Sequence, residues 1–560
     1  MVEPRLTVAR MTDGLRALAY GSPIYSLTLG RSGPRDLALV PPDPWPGDAA
    51  RGAALVGGEY GFAGETVLAE APLWMPVGMG GDFLAELHGF EWLRDLRAAG
   101  GDAARRHARA LVGSWIAEHD TWHSLLWRPD VLGLRMASWL GSHDFFCASA
   151  DDGFRARVFA SLARQLRHLT RALPGGLAGA PLLVALKGLV YGTLCLPGDR
   201  VRLDHALALL ERELVRQVLP DGCHVQRNPA LHLTALRHLI DLRAVLRAGK
   251  MGVPEALQHA IDRMAPALRF FRHGDGGLAL FNGAQQGEPV LIDTVLAQAD
   301  ARGRPLRSAR HSGFERVLVG RTLVLMDAGN PAAAGLDRGA HAGTLAFELS
   351  VGRERMIVNC GARAGAALAT DGPQAVDWDQ ALRGTAAHST VTVGATNSSE
   401  LVPGGGLGRR PRSVTVERDE DDGAVLIDAA QDGYRPVFGI THRRRLYLSP
   451  GGDDLRGEDT LTGGADRPFA VRFHLHPSVQ ASTVQGGAAV LIRLARGAGW
   501  RLRASGGEVG LEDSIYVGEG GAVRRTSQVV ITGRTGRDAA APTVVKWALK
   551  RERKGYTKDR

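Results

Sequence analysis

Residues 344–358 read TLAFELSVGRERMIV. Apolar and polar residues alternate before the central Gly-Arg-Glu-Arg, and an apolar run follows it, so the stretch predicts two strands joined by a turn. Short runs of the same kind occur at 314–326, 389–393, 413–417, 424–429, 443–449, 469–476, 489–494 and 528–532. Short alternating runs bounded by Gly and Asp are typical of an antiparallel β-sandwich.

The chain before this region has a different pattern, with apolar residues at i, i+3 and i+4. It occurs at 83–99, 102–118, 131–142, 154–173, 182–196, 202–218, 231–248 and 254–271. Eight or more helices of this length, joined by short turns, favour an (α/α) toroid or a helical bundle. Helices followed by strands indicate separate domains and an α+β multidomain class.

Four segments are therefore expected along the chain. An irregular lead-in covers 1–60, because PPDPWPG at 41–47 is incompatible with regular helix. An α/α toroid at 61–305 and an antiparallel β-sandwich at 306–545 follow. Residues 546–560 are expected to form a basic, frayed tail.

Net charge and cysteine content indicate which class of partner the protein binds and in which cellular compartment it is found. The 560 residues carry a net charge of +9, which suits a polyanionic partner, although a high-GC genome that favours Arg and Ala codons is an alternative explanation. The four cysteines form no CxxC pair, which predicts free buried thiols and a reducing compartment. No signal peptide or membrane span is evident, so we expect the cytoplasm, with the periplasm or cell envelope as the alternative.

One cluster of candidate residues lies where a turn enters a helix. Asn228 and Pro229 suit the N-cap and the first helical position, and Arg227 precedes them. Arg227, Asn228 and His232 at a helix N-terminus would suit a sugar carboxylate. The structural alternatives are a capping role for Asn228 and a hydrogen-bonded core histidine for His232.

Further candidates lie in the predicted strands. His341, Asn359 and His388 offer two imidazoles and one oxygen, a set that suits a divalent metal, with structural histidines as the alternative. Alternation places Arg472, His474 and His476 on one sheet face, where exposed surface residues are the alternative reading. His273 and Asp275 lie in a tight turn that is either structural or part of a cleft. Motifs of the GxxxxGK[ST], GxSxG and HExxH types are absent from the sequence.

The order of these pieces resembles the heparinase II/III-like family of polysaccharide lyases. The matching pieces are LHGFEWL at 87–93, DGCHVQRNPALH at 221–232, FNG at 281–283, HAGTLAFE at 341–348, NCG at 359–361, HSTV at 388–391 and FHLHP at 473–477. The resemblance covers most of the chain and implies a toroid followed by a sandwich.

The resemblance also implies a function: cleavage of an acidic, uronic-acid-containing glycan such as a glycosaminoglycan by β-elimination. That chemistry requires a group that neutralises the uronate carboxylate, a base for the C5 proton, and an acid for the leaving O4. By resemblance, Asn228 or His232 is the neutraliser, with Arg227 assisting, and His341 and His388 complete the catalytic site.

Binding roles follow from the same resemblance. Trp92 and Trp122 would stack on sugar rings, and Arg472 would also bind the glycan. Some family members hold zinc in the sandwich, and His341, Asn359 and His388 stand at the matching positions. No other cofactor is implied, and no nucleic-acid recognition module is visible. Whether the chain forms a homodimer is left open.

The sequence departs from the family pattern at several positions. Gly339 and Gly343 replace the first histidine and the aspartate of an HxHxD motif, and Asn359 stands where aspartate is common. Residues 250–300 contain no tyrosine to serve as acid and base, and Tyr191 is a candidate elsewhere that also suits core packing. These departures favour an alternative function, a non-catalytic glycan-binding protein in envelope or capsule polysaccharide handling.

Overall fold

A computed structural model describes residues 14–30, 32–69, 74–198, 200–363 and 377–552. These residues form two compact units. The helical unit takes the described residues up to Gln217 together with Thr234–Asp262, and the sheet unit takes Val218–Leu233, Arg263–Arg363 and the described residues from 377 onward.

The helical unit contains pairs of helices that pack around apolar faces. Its helices span Pro23–Thr28, Ala49–Val56, Gly81–Gly89, Leu93–Ala99, Gly101–His119, Pro129–Gly141, His143–Phe146, Asp152–Ala172, Ala180–Cys195 and Arg200–Gln217. The chain passes between the two units within helices Pro229–Ala248 and Glu255–Phe270. Helix Ala180–Cys195 is apolar on nearly every side and is buried accordingly.

Glycine allows two helices of this unit to approach closely. A Cβ atom on Gly188 would lie 2.3 Å from the Cα atom of Gly133, so helices 180–195 and 129–141 cross where neither carries a side chain. The predicted single helix 83–99 is interrupted at Phe90, which has a positive φ of 60° and ends helix Gly81–Gly89. Phe90 is fully buried against Trp92 and Trp139, so aromatic packing fixes the break.

The described strands are numbered in chain order. They are β1 Glu59–Phe62, β2 Glu65–Leu68, β3 Ser308–Ala309, β4 Phe314–Val319, β5 Thr322–Asp327, β6 Phe347–Val351, β7 Glu354–Val358, β8 Val391–Val393, β9 Val414–Asp421, β10 Ala424–Gln431, β11 Thr441–Leu448, β12 Asp454–Thr462, β13 Pro468–Leu475, β14 Gln480–Val484, β15 Ala489–Arg493, β16 Gly499–Ser505, β17 Glu508–Tyr516, β18 Arg524–Arg534 and β19 Thr543–Arg551. The sheet unit also contains helices Pro289–Ala299, Trp378–Arg383 and Arg435–Phe438.

Two large antiparallel sheets make up the sheet unit. One has the order β17-β18-β13-β7-β6-β5-β4-β3, with β8 also pairing with β13, and the other has the order β14-β15-β16-β19-β12-β11-β10-β9. Apolar side chains from both sheets form one core, in which the Phe347 and Trp547 rings stack with centroids 5.8 Å apart. The predicted hairpin at 344–358 is confirmed as β6 and β7, and the predicted sandwich is confirmed with it.

A buried ion pair lies within this core. Both nitrogens Nε and Nη2 of Arg444 donate to the carboxylate of Asp459, at 2.7 and 3.1 Å. His442 and Trp547 also donate to Asp459, at 2.8 and 3.0 Å. Nη1 of Arg444 donates to the carbonyls of Leu345 and Ser389, which lie just before strands β6 and β8 of the other sheet. Burial opposes ionisation of Asp459, but Arg444 and His442 outweigh it and hold the pKa of that carboxyl well below its usual range.

The structure differs from the expected segment boundaries in three places. Helices Pro23–Thr28 and Ala49–Val56 lie in the expected irregular lead-in. The turn at 218–233 belongs to the sheet unit, although the sequence groups it with the helices. Strand β19 runs to Arg551, into the expected tail, because Trp547 and Leu549 are buried between exposed basic residues. The rest of that tail, 553–560, lies outside the described residues.

The cysteines and the helix lengths concern the chain as a whole. All four cysteines are free and buried, as predicted. Among the residues that the structure describes, no helix is both long and apolar enough to cross a bilayer.

We predict that Asp459→Ala destabilises the protein strongly, because it leaves the Arg444 guanidinium buried without a counter-charge. The expected loss in free energy of unfolding is about 3–5 kcal/mol, measured by urea denaturation. Asp428→Ala is the matched control, since Asp428 pairs with Arg443 and Arg445 near the surface. It should cost less than about 1 kcal/mol. Equal losses for the two variants would contradict a structural role for the buried pair.

Candidate functional site

The candidate residues of the first cluster are held in a buried network of the sheet unit. Arg227 forms an ion pair with Asp327 and donates from Nε to the carbonyl of Ser312 at 2.6 Å. Its guanidinium lies over the Phe314 ring, 4.6 Å from the centroid. Asn282 donates to the other oxygen of Asp327 at 3.1 Å. Arg227 is therefore largely committed to contacts within the protein.

Asn228 acts as the N-cap that its sequence position predicts. Its Oδ1 accepts hydrogen bonds from the amides of Ala230 and Leu231, at 2.8 and 3.0 Å. Its Nδ2 donates one hydrogen to the carbonyl of Asn282 at 2.7 Å. The second hydrogen of that amide has no acceptor in the described part of the chain, so Asn228 retains one free donor.

His232 is fully hydrogen-bonded inside the protein. Its Nδ1 accepts from the amide of His224 at 3.2 Å, and its Nε2 donates to the carbonyl of Met264 at 2.9 Å. Burial lowers its pKa to about 4, so the ring is neutral at pH 7. Neither nitrogen is left for a substrate, and this geometry is that of the hydrogen-bonded core histidine.

His341 and His388 contact each other directly. Nδ1 of His341 lies 3.0 Å from Nε2 of His388, and the two rings are nearly perpendicular. Nδ1 of His388 lies 2.8 Å from the carbonyl of Gly384. Burial lowers the pKa of both rings, that of His388 to about 4. Both imidazoles are therefore neutral at pH 7.

Because each ring is neutral, only one of its two nitrogens carries a hydrogen, and the hydrogen bonds show which one. A carbonyl only accepts, so Nδ1 of His388 carries the hydrogen that it donates to Gly384. Nε2 of His388 is then an acceptor, and His341 donates to it from Nδ1. Nε2 of His341 is left with a lone pair and accepts no hydrogen bond from the described residues, so it has the form of a general base.

Gly283 lies where the two clusters meet. A Cβ atom on Gly283 would be 3.3 Å from Nε2 of His341 and 3.4 Å from Nδ2 of Asn228. The free base nitrogen and the free amide donor therefore approach the same backbone position. The tertiary structure brings together Asn228, His341 and His388, but does not offer His232 as part of that group.

Asn359 is engaged in a second buried network. Its Nδ2 donates to Glu348 at 3.1 Å, and its Oδ1 accepts from the amide of Ser389 at 3.0 Å. Nε2 of His273 donates to the other oxygen of Glu348 at 2.8 Å. Asn359 therefore fixes the chain beside His388 rather than pointing an oxygen at the histidine pair.

The donor set beside the histidines does not suit a divalent metal. The facing nitrogens of His341 and His388 share a proton, and both polar atoms of Asn359 are occupied. Gly343 supplies no carboxylate, and a Cβ atom there would meet the His388 ring at 2.7 Å. Among the residues that the structure describes, no group of three His, Cys, Asp or Glu side chains is placed to hold a metal ion.

The remaining candidate residues are the proposed glycan-binding residues Arg472, Trp92 and Trp122. Nη1 of Arg472 donates to Gln528 at 3.2 Å, and His474 contacts Ser514 and the carbonyl of Ala386. Trp92 and Trp122 belong to the helical unit. Trp92 is 1% exposed and donates to the carbonyl of Leu87, so its ring offers no face for a sugar, whereas Trp122 is half-buried.

Tyrosine is missing from the histidine cluster. No tyrosine hydroxyl of the described ranges is within hydrogen-bond distance of Asn228, His341 or His388. Tyr191 is buried in the helical unit, where its hydroxyl donates to the carbonyl of Asp241. Tyr434 donates to the carbonyl of Val391. The site therefore contains a candidate base and a candidate donor but no phenol.

Sequence reasoning missed the carboxylates that hold this site. Asp327 ends strand β5, and Glu348 lies on a buried face of β6. Glu348 could have been found from the sequence, because it is a charged residue within a strand that is otherwise largely apolar. No sequence signal pairs Asp327 with Arg227, because 100 residues separate them.

Comparisons with known proteins agree with this architecture. Residues 301–548 match the family model described as "Heparinase II/III-like, C-terminal". A crystal structure of heparinase III superposes with a TM-score of 0.74 at 14% identity, covering 90% of this chain and 84% of that one. The heparan sulfate lyase HepC from Pedobacter heparinus gives a TM-score of 0.60 at 13% identity, covering 90% and 82%. At such low identity these structures show the fold alone, a helical toroid followed by an antiparallel β-sandwich.

A curated protein is more similar in sequence. FtsZ-localized protein C of Caulobacter vibrioides (strain NA1000 / CB15N) is 33% identical over 569 residues, which covers 95% of this chain and 93% of that protein. The similarity thus extends over both the helical and the sheet unit. With the family model on the sandwich and the heparinase III fold over nine-tenths of its length, the chain belongs to the heparinase II/III-like family.

Proposed function

We propose that this chain is a bacterial cell-division-associated protein that localises with FtsZ and uses a heparinase-type fold for binding rather than for lyase turnover. The observation that carries the proposal is the 33% identity to FtsZ-localized protein C over 95% of the chain. Similarity across both units supports a shared role for the whole protein, because a shared sandwich alone would match only about half of it.

The geometry of the candidate site supports binding without turnover. β-Elimination requires a carboxylate neutraliser, a base and an acid, and the base and acid act on different atoms of the sugar. Arg227 is held by Asp327, and both nitrogens of His232 are occupied. Within the described ranges, no tyrosine hydroxyl lies within hydrogen-bond distance of Asn228, His341 or His388 to serve as the acid. Binding of an acidic glycan, in the handling of envelope polysaccharide, remains compatible with these contacts.

One observation favours a second candidate function, a polysaccharide lyase acting on a uronic-acid-containing glycan. Nε2 of His341 has a lone pair and approaches the same backbone position as the free amide hydrogen of Asn228. In this mechanism, Asn228 donates to the uronate carboxylate and Nε2 of His341 removes the C5 proton. The C4–O4 bond breaks as the C4=C5 double bond forms, and the proton held on His341 then passes to the leaving O4. His388 holds the His341 ring in the required tautomer by accepting from its Nδ1.

We predict that a fluorescent fusion of this chain co-localises with FtsZ in dividing cells of the source bacterium, and that purified FtsZ retains the full chain in a pull-down. The His341→Gln variant should localise and bind as the wild type does, because the proposal assigns this role to binding surfaces and not to the histidine pair. A uniform distribution of the fusion, together with no retention by FtsZ, would argue against the division role.

We predict that the purified protein produces no 4,5-unsaturated uronate from heparin, heparan sulfate, hyaluronan, alginate or polygalacturonate, measured by ultraviolet absorbance. Direct binding to the same polymers should be measured in parallel. A rise in absorbance with one polymer would instead establish the lyase candidate.

In that case His341→Gln should reduce kcat by about 100-fold or more, since it removes the base. His259→Gln is the matched control, because His259 is exposed on the helical unit. Activity should be insensitive to a chelator, because the donor set around His341 and His388 does not suit a metal. Full activity of His341→Gln would exclude it as the base.

A further inference from the structure

A second polar pocket lies at the other end of strands β4–β7 from the histidine pair. It has a volume of about 600 Å³ and is lined by residues around the Gly320 turn, the Gly352 turn and the segment that follows helix Glu255–Phe270. The candidate site lies beside Asp327 and Asn359, at the opposite strand ends. Five residues of strand separate the two, about 17 Å.

The charge of this pocket is of one sign. Its described lining includes no aspartate or glutamate. Five arginines line it: Arg269, Arg272, Arg316, Arg321 and Arg353. The Arg272 guanidinium has a partner in Asp293, at 2.8 Å. Arg321 and Arg353 are exposed at the rim. The pocket therefore concentrates positive charge without a matching set of carboxylates.

Arg316 is the residue that most requires an explanation. It lies on β4, half-buried, and its Nη1 is inaccessible to solvent and has no hydrogen-bond partner among the described residues. The neighbouring carboxylate of Glu315 is already paired with Arg418, at 3.0 Å. Burial lowers the pKa of Arg316 to about 10, and no nearby carboxylate opposes that effect.

Arg269 repeats this pattern in the last turn of helix Glu255–Phe270. Its Nη2 donates to the carbonyl of Ala301 at 2.9 Å, whereas its Nη1 is buried without a partner in the described part of the chain. Two guanidinium groups that line one pocket thus carry unsatisfied donors. A buried charge without a partner is unfavourable, so each such group requires an explanation, and an anion bound in the pocket would supply one.

The shape of the rim fits the same interpretation. A Cβ atom on Gly352 would lie 2.6 Å from Nη2 of Arg321, so this glycine leaves room for the guanidinium. A phosphate group offers three strong acceptor oxygens and close to two negative charges, and arginine binds it through paired N–H donors. A single carboxylate would satisfy fewer of these donors.

We propose that this pocket is a binding site for the phosphate group of a small anionic ligand, with Arg269 and Arg316 as its inner ligands and Arg321 and Arg353 at its rim. The site is independent of the histidine pair and of the proposed role with FtsZ. A phosphorylated metabolite and free pyrophosphate share this chemistry, and a sulfated glycan is a distinct ligand class that the test separates.

The test is isothermal titration of the full-length protein with inorganic pyrophosphate at fixed ionic strength, with sulfate and a heparin-derived oligosaccharide as parallel arms. We expect pyrophosphate to bind one site per chain and more tightly than sulfate. Arg316→Met keeps the apolar stem and removes the charge. It should weaken pyrophosphate binding by about tenfold or more, the loss expected for a charge-assisted contact.

The same variant gives a second readout that a structural role would not produce. Without ligand, Arg316→Met should melt at the same temperature as the wild type or higher, because it removes an uncompensated buried charge. Arg525→Met, an exposed position on β18 of the same unit, is the matched control and should change neither quantity. The exposed double variant Arg321→Gln/Arg353→Gln should fold normally and weaken binding several-fold.

Three results would overturn the proposal. The first is no binding of pyrophosphate to the wild type. The second is unchanged affinity in Arg316→Met and in the rim double variant. The third is tighter binding of sulfate or of the heparin-derived oligosaccharide, which would assign the pocket to a sulfated ligand instead.

Discussion

The sheet unit depends on the ion pair between Arg444 and Asp459. Both residues are buried in the core between the two sheets, where each charge would be unfavourable alone. Arg444 uses its remaining donors on the carbonyls of Leu345 and Ser389. One side chain thus joins strand β11 to the segments that precede β6 and β8. The pair therefore links the two sheets through hydrogen bonds as well as through charge.

The candidate site follows from that constraint. Ser389 is held by Arg444 through its carbonyl and by Asn359 through its amide, and its neighbour is His388. The position of His388 in turn fixes the tautomer and the orientation of His341. The result is a rigid pair of neutral imidazoles, built from hydrogen bonds rather than from a metal. Gly343 permits this close packing, because a side chain there would collide with the His388 ring.

The family fold and the local chemistry point to different conclusions about activity. The fold is that of heparinase III, and the residues described around His341 include no tyrosine and no complete metal-ligand set. The sequence similarity to FtsZ-localized protein C of Caulobacter vibrioides spans both units. The polar groups around His341 are largely satisfied by one another. The arginine pocket, in contrast, leaves donors of Arg269 and Arg316 unsatisfied, and a ligand that binds there would stabilise the folded protein.

The sequence by itself determined the order of helices and strands, the hairpin at 344–358, the sandwich, the N-cap at Asn228 and the pieces that resemble the family. Each of these depends on local patterns with a period of 3.6 or 2 residues, or on capping chemistry. It did not show the break at Phe90 or the course of β19, because aromatic packing and burial of Trp547 outweigh local composition there.

Only the tertiary structure decided which polar residues are free. The sequence places Arg227, Asn228 and His232 at one helix N-terminus, but it does not show that Arg227 pairs with Asp327 and His232 with the carbonyl of Met264, both distant in the chain. It gave no reason to separate Arg316 from the other arginines. Whether a buried donor has an acceptor depends on contacts between segments far apart in sequence, and these exist only once the chain has folded.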